Sequence, residues 1–342
     1  AEDFDNVGLL VGNIQNNCTG VLITHDVLEN VIDEAVDKKY NLIVGFHPII
    51  FSGLKKLTEQ NYVERVVAKA LKNDIAIYAL HTALDNHSQG VSYALAQALG
   101  LENIQILVPQ KDTLRQLTTY VPKENSEALL DKLYQAGAGA LGDYDECSFV
   151  TTGMGSFRGN EKAEPFLGKP LIREFVEEAQ LNLIFKKHQE QTIIQTLREN
   201  HPYEEVAFEI YPLNNYNPEI GMGSVGTLKN EMDEKDFLKL VGDTLEIKFL
   251  RHSSMEGRKI KKVAVLGGSG SFAIPHAKKM KADAFVTADL KYHDFFQAEN
   301  QLLLVDGGHY ETERFTKNLI HDHLIEKLPN FAIALSKSVT NP

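Results

Sequence analysis

Short apolar runs alternate with amphipathic stretches at both ends of the chain, and this pattern predicts a parallel α/β core. Residues 20–26, Asn41–Val44 and Ile75–Ala79 read as buried strands. The stretches over 27–38, 62–72 and 91–99 place apolar residues at helical spacing. The alternation resumes at Lys262–Leu266, Ala284–Thr287 and Leu302–Asp306. Strands that alternate with helices in this way form βαβ units. Between about 113 and 213 the texture differs. Leu114–Val121 alternates as a half-exposed strand, Ser126–Ala136 reads as a helix with Ser126 at its N-cap, and Ser148–Arg158 is strand-like. Ile184–Lys186, a helix over 189–200 and the strand Val206–Tyr211 follow, with an Asn-rich exit linker from Pro212 to Pro218. Strand, helix, strand, strand, helix, strand is the split βαβ, ferredoxin-like order. The expected architecture is α/β. A discontinuous core over 1–112 and 214–342 carries mostly parallel sheets flanked by helices, and 113–213 is an inserted α+β domain.

Composition narrows the class. The chain has 342 residues, of which 43% are hydrophobic, enough for two cores. A net charge of -12 disfavours nucleic acid and anionic lipid as partners. No apolar run approaches the roughly 20 residues of a membrane span. Cys18 and Cys147 are far apart and in no metal-binding pattern, so a disulfide framework is excluded and a reducing cytoplasm is the expected compartment. The opening Ala1-Glu2-Asp3-Phe4 lacks a methionine and reads as a trimmed or partial start, which leaves targeting signals out of view.

Candidate chemistry gathers at strand ends, where open parallel sheets build their sites. After the strand ending at Val305, two glycines turn the chain into His309-Tyr310-Glu311-Thr312-Glu313. His309 and Glu313 stand four apart on one helical face, a pairing that suits zinc, manganese or iron but also occurs as a plain surface pair. His47 follows the second strand, and His81-Thr82-Ala83-Leu84-Asp85 the third. Asp85 is the better placed ligand of that stretch, with His81 orienting it or capping the strand. Gly267-Gly268-Ser269-Gly270 is either an anion-holding loop or a tight strand-to-helix turn. Asp289, Lys291 and His293 could line a pocket. His201-Pro202-Tyr203-Glu204-Glu205 reads as a structural turn with solvated carboxylates.

Several segments together resemble the Nif-three-like family, whose bacterial members are also called GTP cyclohydrolase 1 type 2 homologues. They are Asp5-Asn6-Val7-Gly8-Leu9-Leu10-Val11-Gly12, His47-Pro48-Ile49-Ile50-Phe51, His81-Thr82-Ala83-Leu84-Asp85, Thr287-Ala288-Asp289 with Lys291-Tyr292-His293-Asp294, and Gly308-His309-Tyr310-Glu311-Thr312-Glu313. The middle segment resembles the PII-like or CutA-like domain of the longer members. The resemblance implies two divalent metal ions per chain, zinc foremost with iron or manganese as alternatives. It carries the ligands over as His47, Asp85, His309 and Glu313, with the glutamate bridging, in a toroidal homohexamer. One position departs: the family has two adjacent histidines, and Phe46 stands where the first would be. His25, at the end of the neighbouring strand, either supplies that nitrogen or only hydrogen-bonds near Asp26. The implied activity is metal-dependent hydrolysis of a nucleotide or related small molecule, with His293 or His81 moving protons and the glycine loop holding phosphate. The alternative is a non-enzymatic, metal-binding regulatory or interaction protein.

Overall fold

A computed structural model describes residues 1–342. The chain divides into two compact units, one formed by 1–109 with 218–342 and the other by 110–217. In chain order the first stretch carries β1 (Gly8–Val11), β2 (Val21–Thr24), α1 (Glu29–Lys38), β3 (Leu42–Gly45), α2 (Tyr62–Lys72), β4 (Ala76–Ala79), α3 (His81–Asp85), α4 (Val91–Ala98) and β5 (Leu101–Pro109). The middle stretch carries β6 (Leu114–Pro122), α5 (Ser126–Gln135), β7 (Ser148–Phe157), β8 (Glu174–Lys186), α6 (Glu190–Asn200) and β9 (Phe208–Leu213). The last carries β10 (Gly221–Asp233), α7 (Glu234–Leu245), β11 (Arg251–His252), β12 (Lys259–Ser269), α8 (Ile274–Lys279), β13 (Ala284–Ala288), β14 (Leu303–Asp306), α9 (His309–Glu313), α10 (Thr316–Lys327) and β15 (Ile333–Leu335).

The discontinuous unit holds two mixed sheets. The first has the order β1-β4-β3-β2-β15 and the second β11-β14-β13-β12-β10-β5. In the first, β2, β3, β4 and β15 run parallel and only β1 is antiparallel. β12, β13 and β14 form the parallel centre of the second. All four residues of β2 and all five of β13 are buried, as expected of parallel strands covered on both faces. Leu22 and Ile43 pack with Val31, Ile32, Val66 and Val67 of α1 and α2, while Val21, Ile23 and Val44 pack with Ile320 of α10 on the opposite face.

The 110–217 unit has one antiparallel sheet, ordered β7-β8-β6-β9. With α5 and α6 between its strands in sequence, this is the ferredoxin-like arrangement. Leu117, Leu181, Leu183 and Phe185 pack against Leu129, Leu133, Ile193 and Leu197 of the two helices. Several local expectations change. Ile184–Lys186 is only the end of the 13-residue β8. Asn125, not Ser126, stands at the N-cap position of α5, without a side-chain capping bond, and Ser126 donates its hydroxyl to Lys123 O at 2.7 Å. Pro212 belongs to β9, an edge strand that pairs only with β6, the kind of strand in which proline is tolerated.

Candidate metal centre

Three parallel strands of the first sheet end side by side, and their ends are tied by backbone hydrogen bonds. Thr24 pairs with Gly45, and Gly45 with Ala79. Just beyond, His25 O accepts the N–H groups of Phe46 and His47, each at 3.1 Å, and Phe46 O accepts that of His81 at 2.9 Å. His25, Phe46, His47 and His81 therefore cluster as a consequence of strand register. His25 stacks on Phe46 with ring centroids 5.4 Å apart, and Phe46 is fully buried.

Glu313 of α9 enters this cluster from the second sheet. Its Oε2 lies 3.2 Å from His25 Nε2, 3.4 Å from His47 Nε2 and 3.3 Å from His309 Nε2. Two ligands about 2.0–2.1 Å from a tetrahedral ion sit roughly 3.3 Å from each other, so these spacings suit donors around one ion. His25, His47 and Glu313 form the compact group, with their donor atoms within 4.8 Å of one another. His309 touches the same oxygen from outside that group. The His25–Glu313 contact is not aligned as a hydrogen bond: both ring nitrogens of His25 and Oε2 of Glu313 are buried without a hydrogen-bond partner. Buried polar atoms are rarely left so. The mixed imidazole and carboxylate donor set matches zinc, iron or manganese.

Carboxylates hold the histidines from behind. Asp26 Oδ1 is 2.7 Å from His47 Nδ1, Asp289 Oδ2 2.7 Å from His309 Nδ1, and Asp5 Oδ1 2.8 Å from His81 Nδ1. Ser269 donates its hydroxyl to the same Asp289 carboxylate. Each imidazole so held turns Nε2 away from its carboxylate, the usual way in which an outer carboxylate aims a ligand. Asp26 and Asp5 carry no spacing signal; only the fold brings them to these rings.

Burial works against the charged form of His47, but Asp26 and Glu313 push its imidazole up to about 10. Glu313 does the same to His309, reaching about 9 against the effect of burial and with help from Asp289. Burial would raise Glu313, yet the surrounding imidazoles hold it well below the ordinary carboxylate range. Asp85, at the end of α3, makes no contact with the compact group. Burial and the nearby Glu313 charge push its carboxyl well above the ordinary range, while His47 and His309 oppose this. The site thus concentrates negative charge that protons balance here and that a cation could balance instead.

In the 267–270 stretch, two of the backbone N–H groups are already taken. Gly267 and Gly268 donate their N–H groups to Ser92 Oγ (3.3 Å) and Thr312 Oγ1 (3.0 Å). A Cβ on Gly268 would fall 2.2 Å from Glu313 Oε1, and its φ is +68°. His293 is exposed, and its ring contacts are Tyr292 and Phe296 rather than any member of the cluster. In the other unit, His201 Nε2 bonds to Tyr120 O at 2.9 Å and Tyr203 donates its hydroxyl to Glu178 at 2.7 Å, so that motif closes a turn.

A cavity of about 710 Å³ opens beside the cluster, lined by His25, Asp26, His47, His309, Tyr310 and the segment 339–342 among others. A second of about 680 Å³ lies in the 110–217 unit, walled by Tyr120, Phe157, Phe166, Glu178 and Tyr203 with no histidine or cysteine. Of these two, only the first is lined by histidines.

The family model described as Duf34/NIF3 (NGG1p interacting factor 3) matches residues 1–342. A Bacillus subtilis protein named GTP cyclohydrolase 1 type 2 homolog is 41% identical over 348 residues, covering all of this chain and 93% of the relative. The crystal structure of a Bacillus cereus protein related to NIF3 superposes with a TM-score of 0.85 at 36% identity, covering 100% of this chain and 93% of that one. A Staphylococcus aureus structure gives 0.77 at 31% identity, with the same coverage. A whole-length family match and relatives of this identity, aligned end to end, establish that the chain belongs to the DUF34/NIF3 family.

Proposed function

We propose that this chain is a divalent-metal protein, and that its activity is metal-dependent hydrolysis of a small molecule bound in the adjoining cavity. The observation that carries the proposal is the convergence of His25, His47 and His309 on one oxygen of Glu313. In this reading His25, His47 and Glu313 hold one ion, zinc foremost. His309 and Asp85, with Glu313, would be the residues to hold a second. His25 thereby supplies the nitrogen that Phe46 cannot. A bound divalent ion would supply Lewis acidity toward a water and the bond under attack. Asp26 and Asp289 orient His47 and His309. His81, its Nδ1 held by Asp5 and its ring 5.4 Å from that of His47, is the residue we assign to moving a proton through Nε2.

The name carried by the curated relatives suggests GTP as substrate. One feature favours a less charged molecule, or a role in holding metal without catalysis: the cavity lining has no Lys or Arg but includes Asp26 and Glu311. A polyphosphate would find no Lys or Arg there, only the imidazoles of His47 and His309 and any bound ion to offset its charge. Elemental analysis of the purified chain and of His47→Ala and His309→Ala tests the centre, and unchanged metal content in both variants sinks it. Formate release from GTP in the presence of zinc, iron or manganese tests the named reaction. A metal-loaded chain that releases none rejects GTP as its substrate. Light scattering tests the homohexamer that we also infer, and no helix is long and apolar enough to cross a membrane.

A further inference from the structure

Asp306, the last residue of β14, ties together the two loops that carry Asp289 and His309. Its Oδ1 accepts the Gly308 N–H at 3.2 Å, one residue before His309. Its Oδ2 accepts the Leu290 N–H at 3.2 Å, one residue after Asp289. Arg251 closes the arrangement from β11, where it is the register partner of Asp306. Its guanidinium donates through Nη1 to Asp306 Oδ2 at 3.1 Å and through Nη2 to Leu290 O at 2.9 Å. Both backbone groups of Leu290 are thus held, one by Asp306 and one by Arg251. The Asp306 side chain is 9% exposed and that of Arg251 61%, with the guanidinium 5.1 Å from the centroid of the Phe295 ring.

The residue held in this way follows Asp289, whose φ of +56° lies in the left-handed region that residues with a Cβ uncommonly adopt. Asp289 Oδ2 lies 2.7 Å from His309 Nδ1, and His309 Nε2 is 3.3 Å from Glu313 Oε2. Ser269 donates to the same Asp289 carboxylate from one side, while Leu290 fixes the backbone next to it. We propose that Arg251 is a positioning residue for the metal centre: by clamping Leu290 against Asp306 it keeps the Asp289 carboxylate on His309 Nδ1, and so keeps His309 Nε2 turned to Glu313. This rests on the metal reading given above. The physical basis is that the outer partner of a ligating imidazole sets the orientation of its ring, and losing that partner typically lowers metal affinity by about 10–100-fold. Charge alone acts in the opposite sense. Removing a cation from the surroundings of a metal site favours metal binding, so a purely electrostatic Arg251 predicts tighter zinc in its absence.

Arg251→Met keeps an apolar stem over Phe295 and removes the guanidinium. The side chain is largely exposed on the edge strand β11, so the variant is expected to fold. Zinc affinity, measured by competition with a chromophoric chelator, is expected to weaken about 5-fold or more in Arg251→Met. In an Asp289→Ala background the same substitution is expected to change affinity by less than about 2-fold, since the carboxylate it steers is gone. In the metal-free protein, the nitrogen-15 shift of His309 Nδ1 in Arg251→Met is expected to move from the wild-type value toward that of Asp289→Ala. A smaller loss of affinity in Arg251→Met, or a gain, overturns the proposal while leaving the metal centre intact. Equal losses with and without Asp289 also overturn it, because they place the effect elsewhere. If Asp289→Ala holds no measurable zinc, the His309 shift decides instead, and an unmoved shift overturns the proposal. A wild-type chain that binds no zinc overturns the metal reading, and the His309 shift then still decides whether Arg251 positions the ring.

Discussion

His25 Nε2 and Glu313 Oε2 lie 3.2 Å apart, with side-chain exposures of 1% and 5%, yet neither atom makes a hydrogen bond. A buried polar atom left unpaired costs about 1–3 kcal/mol. This pair should therefore weaken the metal-free protein and strengthen the metal-bound one. We expect His25→Leu to melt at or above wild type in chelator. In excess zinc the order should reverse, because only wild type gains fully from ligation, by about 4 kcal/mol at a thousandfold excess over Kd. Thermal unfolding in both conditions checks this, and a variant that gains as much from zinc as wild type contradicts it.

Gly268→Ala should damage the centre without touching a ligand. The new Cβ falls 2.2 Å from Glu313 Oε1, on a backbone already at φ +68°. A non-glycine residue forced into such a conformation costs about 1–3 kcal/mol, so a lowered denaturation midpoint is expected together with weaker zinc binding. Retention of wild-type zinc affinity would show that Glu313 has room to move.

Glu34 of α1, whose carboxylate clasps the chain beyond β15, makes a pH prediction. Burial raises its carboxyl, but the hydrogen bonds from Ser336, Lys337 and Ser338 outweigh this and hold it below the ordinary value. A folded-state value that is depressed adds stability above the unfolded pKa, and that stability is lost as pH falls through the folded pKa. Wild type should therefore lose more stability than Glu34→Gln as pH drops from neutrality to below 4. At neutral pH the variant should be less stable by about 1 kcal/mol. Parallel curves for the two proteins in urea titrations across this range would rule the clasp out as a pH-dependent contribution.

The 110–217 unit should prove separable. Pro109 at the end of β5 pairs with Gly221 at the start of β10, so the unit enters and leaves through adjacent antiparallel strands. A short turn that joins them should leave a core that binds zinc as the full chain does. Metal-free or aggregated material, under conditions where the full chain stays dispersed, counts against this.

Most of the parallel strands were legible because they read as short apolar runs, as in Val21–Thr24 and Ala284–Ala288, whose residues are all buried; the three-residue β15, also parallel, was not read. β5 and β10 were not read, since Glu102, Asn103 and Gln105 break the one and Gly221, Gly223 and Gly226 the other. β8 was cut short for a related reason. Only its alternate residues Ala179, Leu181, Leu183 and Phe185 are buried, and the polar Gln180 and Asn182 stand between the first three. In the candidate site, the strand-end histidines could be picked out by position. Asp26 and Asp289 could not be matched to their histidines, because those pairings depend on which strand ends become neighbours.

The register that sets residue 333 beside residue 21 also has a consequence in time. During synthesis β2 is made early but gains its β15 neighbour only when nearly all of the 342 residues exist. Both the Glu313 carboxylate and the segment 339–342 are late arrivals as well. The 110–217 unit, whose strands pair among themselves, can complete its sheet well before that. Contacts between distant parts of a chain form slowly, and domains generally fold as units during translation. The strand-end histidines thus spend most of the chain's synthesis without Glu313, and the centre comes together as one of the last events of folding.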